Sequence, residues 1–268
     1  MKVGIIGYGS MGRMLLEKIE GAGKAEAKDL YISTRTKEKI RHLKGKFNVC
    51  EDNKDLAAAC DIVFLAVRAG DIKPIMEEIL PVMKKETRLV SLNASISFTA
   101  LEKLFDGKIA KLTPSVTAEI GRSKTLICYN GKMEAGDKTE IENLLTALGS
   151  VEVLPEDEMW LATDLTSCMP GFVAAIFDVF SQSAMSHTSL SKERVQEMVL
   201  DTVAATSAMM TEKGMSFPEV VKRVATPGGI TEEGTNRIYE KLPAIADEIY
   251  AKTLEKESAT SKKLDELF

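Results

Sequence analysis

Val3-Gly4-Ile5-Ile6-Gly7-Tyr8-Gly9-Ser10-Met11-Gly12 is the stretch that decides the fold. Residues 3–6 form a short apolar run, fit for a strand buried on both faces. Gly7, Gly9 and Gly12 follow in the spacing G-x-G-x-x-G, and Met11, Leu15 and Ile19 then recur at helical spacing. The glycine spacing alone is a weak signal. A strand before it and a helix after it make it a dinucleotide fingerprint. Gly7 permits the tight turn, Gly9 lets the backbone approach a pyrophosphate, and Gly12 lets the helix pack near the strand. The N–H groups and partial positive charge of the helix start then face the phosphates. Tyr8, Ser10 and Met11 complete the expected cofactor turn.

Working outward, the alternation continues. Residues 30–33, 62–67, 88–92, 108–112, 123–129 and 151–154 read as strands, and 37–44, 55–60, 72–83, 98–104 and 138–148 as helices. Such alternation implies right-handed crossovers and a mainly parallel sheet. After Pro155 the strand pattern ends. Residues 159–185 are apolar and helical, with a break or kink expected at Pro170-Gly171. Ser191 opens a helix to about residue 213, and Ser216 with Glu219 makes a capping box for a third. Thr226-Pro227-Gly228-Gly229 is a turn, helix follows to about residue 257, and the polar tail 258–263 is expected to fray. The expected class is α/β: a Rossmann-type dinucleotide-binding domain over residues 1–155, then an all-α dimerisation and substrate domain over 156–268.

Composition narrows the function. The 268 residues are 44% hydrophobic and 28% charged, as in ordinary globular proteins. Thirty-five Lys and Arg against 40 Asp and Glu leave a net charge of -5, without the basic balance of a nucleic-acid binder. The best apolar segment, residues 170–180, contains Asp178 and is short for a membrane span, so no membrane partner is expected. The start lacks a secretory pattern, which makes the cytoplasm the expected compartment. Cys50, Cys60, Cys128 and Cys168 form no C-x-x-C pair, and His42 and His187 are isolated, so no metal site is expected.

The end of the second strand speaks to the cofactor. Ser33-Thr34-Arg35-Thr36-Lys37 carries no acid where an NAD site places one on the ribose 2′-OH. Arg35 can fork onto a 2′-phosphate, and the Ser33 and Thr34 hydroxyls can donate to it. NADP(H) is therefore expected in preference to NAD(H).

At these residues the chain resembles the pyrroline-5-carboxylate reductases, over nearly its whole length. The Gly7–Gly12 turn and residues 33–36 look like that family's cofactor loops. Asp52-Asn53, then Asp61-Ile62-Val63-Phe64-Leu65-Ala66-Val67-Arg68, is similar to its DN…AD-I-FLAVKP stretch. Val224-Ala225-Thr226-Pro227-Gly228-Gly229-Ile230-Thr231 is similar to its VTSPGGTT signature, the most specific of these motifs. Departures border the expected cleft. The family's Lys-Pro reads Arg68-Ala69, its MPNTP segment reads Leu112-Thr113-Pro114-Ser115-Val116-Thr117, and its GSGPAY helix reads Ser167-Cys168-Met169-Pro170-Gly171-Phe172. The Pro-Ser-Val-Thr form is similar to divergent members, including a late-competence-associated paralogue.

The resemblance implies hydride transfer from NADPH to the cyclic imine 1-pyrroline-5-carboxylate, giving L-proline. A protonated imine already attracts hydride, so motifs offering Ser, Thr and Gly suit the reaction. Thr231 matches the position whose hydroxyl meets the imine nitrogen and is the expected catalytic residue; Thr231-Glu232-Glu233 also reads as a helix start. Ser115, Pro227, Gly228 and Gly229 are the further substrate-binding candidates, the last two through backbone N–H groups toward a carboxylate. Asn53, Ala66 and Val67 join the cofactor set. Three alternatives stand beside this. A β-hydroxyacid dehydrogenase needs a catalytic lysine, and none occurs between Trp160 and Ser191. A reductase of another imine and a non-catalytic NADP(H)-binding regulator remain open. Phe172, Val173, Ile176, Phe177, Val179 and Phe180 put apolar groups on several sides of one helix, which predicts a homodimer or higher homo-oligomer. The alternative is that Pro170 folds this stretch back on itself.

Overall fold

The computed structural model describes all 268 residues. They divide into two compact units, one of Met1–Cys168 with Thr253–Phe268 and the other of Met169–Lys252.

The first unit is built in the order β1 (Val3–Ile6), α1 (Ser10–Gly21), β2 (Leu30–Ser33), β3 (Asn48–Val49), α2 (Asn53–Ala59), β4 (Ile62–Leu65), α3 (Ala69–Ile79), β5 (Arg88–Ser91), α4 (Phe98–Glu102), β6 (Lys108–Thr113), β7 (Ser123–Tyr129), α5 (Ala135–Leu145), β8 (Gly149–Val153) and α6 (Met159–Thr163). The eight strands form one sheet in the order β3-β2-β1-β4-β5-β6-β7-β8. All neighbours are parallel except β6 and β7, which run antiparallel with Thr113 opposite Leu126. The chain leaves β1 toward β2 and returns on its other side as β4, so the strand order reverses at β1. Open α/β sheets bind ligands outside the carboxyl ends of the strands at such a point. Val3, Ile5, Ile32, Ile62 and Phe64 are fully buried on the inner strands, as an apolar run covered on both faces requires.

Several elements differ from the sequence reading. Residues Lys37–Leu43 are a 3-10 helix, and β3 is a two-residue strand that carries no periodic signal. Pro170 does not break its helix. Asp164–Cys168 instead widens into a π turn between α6 and α7 (Met169–Met185), absorbing the lost Pro170 hydrogen bond in the turn before it. Continuity makes Glu156–Met185 a 30-residue helical stretch, long and apolar enough by length and composition to cross a membrane.

The second unit contains α7, α8 (Lys192–Lys213), α9 (Phe217–Val224) and the start of α10 (Ile230–Asp265). The Ser191 side chain caps α8, and Ser216 with Glu219 forms the expected capping box on α9. The tail is not frayed: α10 runs to Asp265, and its end docks on the first unit. Asp265 accepts the Ser97 N–H at 2.9 Å, Lys73 Nζ donates to Leu267 O at 2.7 Å, and Leu264 and Phe268 pack against the first unit's core. These contacts hold the end of α10 to the first unit, which runs to Cys168 and resumes at Thr253.

Candidate active site

A cleft of about 710 Å³ lies at the carboxyl ends of β1, β2 and β4. It is lined by Gly7, Tyr8, Gly9, Ser10, Met11, Thr34, Arg35, Asn53, Ala66 and Val67, ten of the twelve residues expected to hold the cofactor. The remaining two, Gly12 and Ser33, stand behind its wall.

The three fingerprint glycines have different reasons to be glycine. Gly7 has φ +105°, and a Cβ there would lie 2.3 Å from Ala66 O on the neighbouring strand end. A Cβ on Gly12 would lie 2.1 Å from Gly7 O, so this glycine lets α1 seat on the turn. Gly9 is extended, and a Cβ on it would meet no protein atom within 4 Å. The chain itself therefore leaves that space open, and a dinucleotide's pyrophosphate fits it. Gly9 caps α1 without a side-chain hydrogen bond, which leaves first-turn N–H groups for phosphate oxygens.

Beyond β2 the cleft carries Arg35, Lys37 and Lys39, while Glu51, Asp52, Asp71 and Glu78 line it elsewhere. Arg35 is exposed, and Lys37 and Lys39 are two residues that sequence reasoning passed over in a 3-10 turn. Ser33 does not face this wall. It is fully buried, and its hydroxyl donates to Asn53 Oδ1 at 2.7 Å, while Asn53 Nδ2 donates to Glu78 Oε2 at 2.9 Å. The expected Ser33 donation to a phosphate is thus used inside the protein, where it fixes the Asn53 amide. A second opening of about 530 Å³ shares Tyr8, Gly9, Ser10 and Lys39 and adds Arg13, Glu17 and His42. The Tyr8 and His42 rings lie 6.3 Å apart, and burial, then Glu17, raises the Tyr8 hydroxyl above its ordinary pKa.

The substrate candidates fall in both units. Ser115, just past β6, is 1% exposed; its N–H donates to Ser123 Oγ at 3.1 Å. The Ser115 hydroxyl has no partner in the chain, nor do the Thr113 hydroxyl and Asn93 Oδ1 at the same edge of the sheet. Buried polar atoms of this kind are few in native proteins. Thr231 is half-buried in the first turn of α10, in the second unit. Gly228 has φ +71°, and a Cβ on Gly229 would lie 2.6 Å from Thr226 Oγ1, so the turn after Pro227 demands both glycines. Their N–H groups are not free: Gly228 donates to Glu232 Oε2 at 2.7 Å and Gly229 to Thr226 O at 2.8 Å.

Burial first, then nearby carboxylates, raises the Cys50 and Cys168 thiols to about 11, and burial raises Cys60 to about 12, so none supplies a thiolate at neutral pH. No three His, Cys, Asp or Glu side chains converge as a metal site would need.

A reversed-order, mainly parallel sheet and a glycine turn at its switch point define a dinucleotide-binding domain. Residues 2–95 match the family described as NADP oxidoreductase, coenzyme F420-dependent, and residues 156–260 match pyrroline-5-carboxylate reductase dimerisation. The chain is 33% identical over 258 residues to pyrroline-5-carboxylate reductase 3 of Bacillus subtilis (strain 168), covering 95% of each protein. It is 25% identical to ComE operon protein 4 of the same organism, covering 94% of each. Among solved structures, the pyrroline carboxylate reductase of Plasmodium falciparum with NADP bound has a TM-score of 0.85 at 22% identity, over 97% of this chain and 98% of that one. The chain belongs to the pyrroline-5-carboxylate reductase family. It is accordingly a reductase dependent on a nicotinamide dinucleotide.

Proposed function

We propose that the protein reduces 1-pyrroline-5-carboxylate to L-proline with NADPH. The observation that carries this reading is a dinucleotide cleft with a basic, acid-free β2 end in a chain that also holds the Pro227-Gly228-Gly229-Ile230-Thr231 signature. Arg35, aided by Thr34, Lys37 and Lys39, takes the 2′-phosphate; a carboxylate there would repel it. The Gly7–Gly12 turn holds the pyrophosphate, and Asn53, Ala66 and Val67 flank the cofactor. The bound nicotinamide supplies the hydride. Thr231, matched to the family signature, donates its hydroxyl to the imine nitrogen. The buried, unpartnered Ser115 hydroxyl just past β6 supports its reading as a substrate-binding residue.

The α7 residues Val179 and Phe180 are 64% and 48% exposed in the single chain. That exposure supports a second copy as their cover, giving a homodimer or larger homo-oligomer, and the dimerisation match over residues 156–260 agrees. The same pairing accounts for the apolar length of Glu156–Met185 without a membrane, in a cytoplasmic enzyme. The test is NADPH oxidation at neutral pH with 1-pyrroline-5-carboxylate, with proline as product. Tight NADPH binding without turnover favours a second reading, a regulator that binds NADP(H) or a reductase of a different imine. Arg68 at the cleft, followed by Ala69 in place of the family's proline, and the likeness to ComE operon protein 4 are what support that second reading.

A further inference from the structure

The acidic pair after Thr231 has no part in the imine chemistry proposed above. Glu232 lies in the first turn of α10 and folds back so that its Oε2 accepts the Gly228 N–H. Gly228 is exposed, and no atom lies within 4 Å of where its Cβ would stand, so the turn is open to a ligand on that side. Its amide, however, is already met by an anion of the chain. Gly229 offers no substitute, since its N–H is held by Thr226 O. The turn thus presents a fixed negative charge at the donor that would suit an incoming carboxylate.

We propose that Glu232 is a specificity-determining residue, whose carboxylate occupies the anion position of this turn and competes with the carboxylate of a cyclic imino acid. The inference rests on the reading of residues 227–229 as part of the substrate site. A carboxylated imine must displace Glu232 from Gly228 and approach its charge. An imine without a carboxylate meets neither obstacle. The chain therefore discriminates between the two less strongly than the same turn without the acid would.

The test compares the full-length protein with Glu232→Gln, Glu232→Ala and Glu233→Gln, using saturating NADPH. The substrates are 1-pyrroline-5-carboxylate and 1-pyrroline, its analogue without the carboxylate. Glutamine keeps an acceptor for the Gly228 N–H and removes the charge, so it separates competition from helix capping. Glu232→Gln, which relieves only the charge, is expected to lower KM for the carboxylated imine by about threefold or more, and Glu232→Ala, which also frees the Gly228 N–H, by about tenfold, the worth of one hydrogen bond to a charged group. KM for 1-pyrroline should not move, and Glu233→Gln should change neither. An unchanged KM in Glu232→Gln, or an equal shift for both imines, overturns the proposal. If every form binds NADPH yet reduces neither imine, the reductase reading falls, and calorimetry with L-proline on the NADP+-loaded protein decides about Glu232. Tighter proline binding by Glu232→Gln upholds the competition, and equal binding overturns it.

Discussion

Lys111→Met is the substitution whose cost the structure defines most fully. Lys111 is 2% exposed on β6, and Nζ donates to Ala94 O and Ile96 O, each at 3.0 Å, and to Glu156 Oε1 at 2.5 Å. The ammonium also lies 4.9 Å from the Phe98 ring centre. Glu156 Oε1 accepts the Phe98 N–H at 2.8 Å, so one charge pair joins β6, the loop after β5 and the start of the helical stretch. Methionine keeps most of the side-chain volume and removes every donor. Two carbonyls then lose this donor, and the Glu156 carboxylate loses its counter-charge while keeping the Phe98 N–H. Each unsatisfied buried acceptor costs about 1–3 kcal/mol. The Glu156 side chain is 38% exposed, so water recovers part of its share. The expected loss is about 3 kcal/mol, the low end for a broken buried pair. Trp160, the single tryptophan, lines the same recess as Lys111 and Glu156, so its fluorescence in a urea titration reads this loss locally. Adding Glu156→Gln should recover part of it, because the two sites are coupled. A loss below about 1 kcal/mol would refute the reasoning and make the ammonium dispensable.

Arg35→Ala should weaken NADPH by about tenfold or more and leave NADH nearly unchanged, as titration of cofactor fluorescence would show; equal losses for both cofactors would count against 2′-phosphate recognition. Thr231→Ala should lower kcat/KM for the imine by about tenfold to a hundredfold with cofactor affinity retained, measured by steady-state kinetics and cofactor titration. Asp137 supplies a pH prediction. Burial alone would raise its carboxyl, but the Lys108 ammonium at 2.8 Å, the Glu134 N–H and Arg88 together hold its pKa below the ordinary value. A carboxyl depressed in the folded state contributes stability above its unfolded pKa and loses it as pH falls through the folded one. Asp137→Asn should therefore melt below the parent at pH 7, with the gap narrowing below about pH 4.

Sequence alone determined the elements whose signals are local. The buried strands around Val3, Ile32 and Phe64 announce themselves as apolar runs. Gly7 and Gly12 carry their reasons in backbone clearance that any such turn requires, and the caps at Ser191 and Ser216 act over three residues. Thr34 and Arg35, which line the cleft, stand out in the same local way at the end of β2, whereas Ala66 and Val67 were expected there only from the family resemblance. Tertiary structure decided whatever depends on partners far along the chain. Ser33 reads as a phosphate donor until Asn53, 20 residues on, takes its hydroxyl. The polar tail reads as frayed until Lys73, 194 residues before Leu267, and Ser97 anchor its end. Lys111 carries no local signal of its role, since only folding brings Ala94, Ile96 and Glu156 around it. Glu232 lies just four residues from Gly228, yet its role escaped the sequence, because a first-turn acid reads as favourable charge at any helix start. Only the fold-back geometry shows that its carboxylate is spent on the glycine turn.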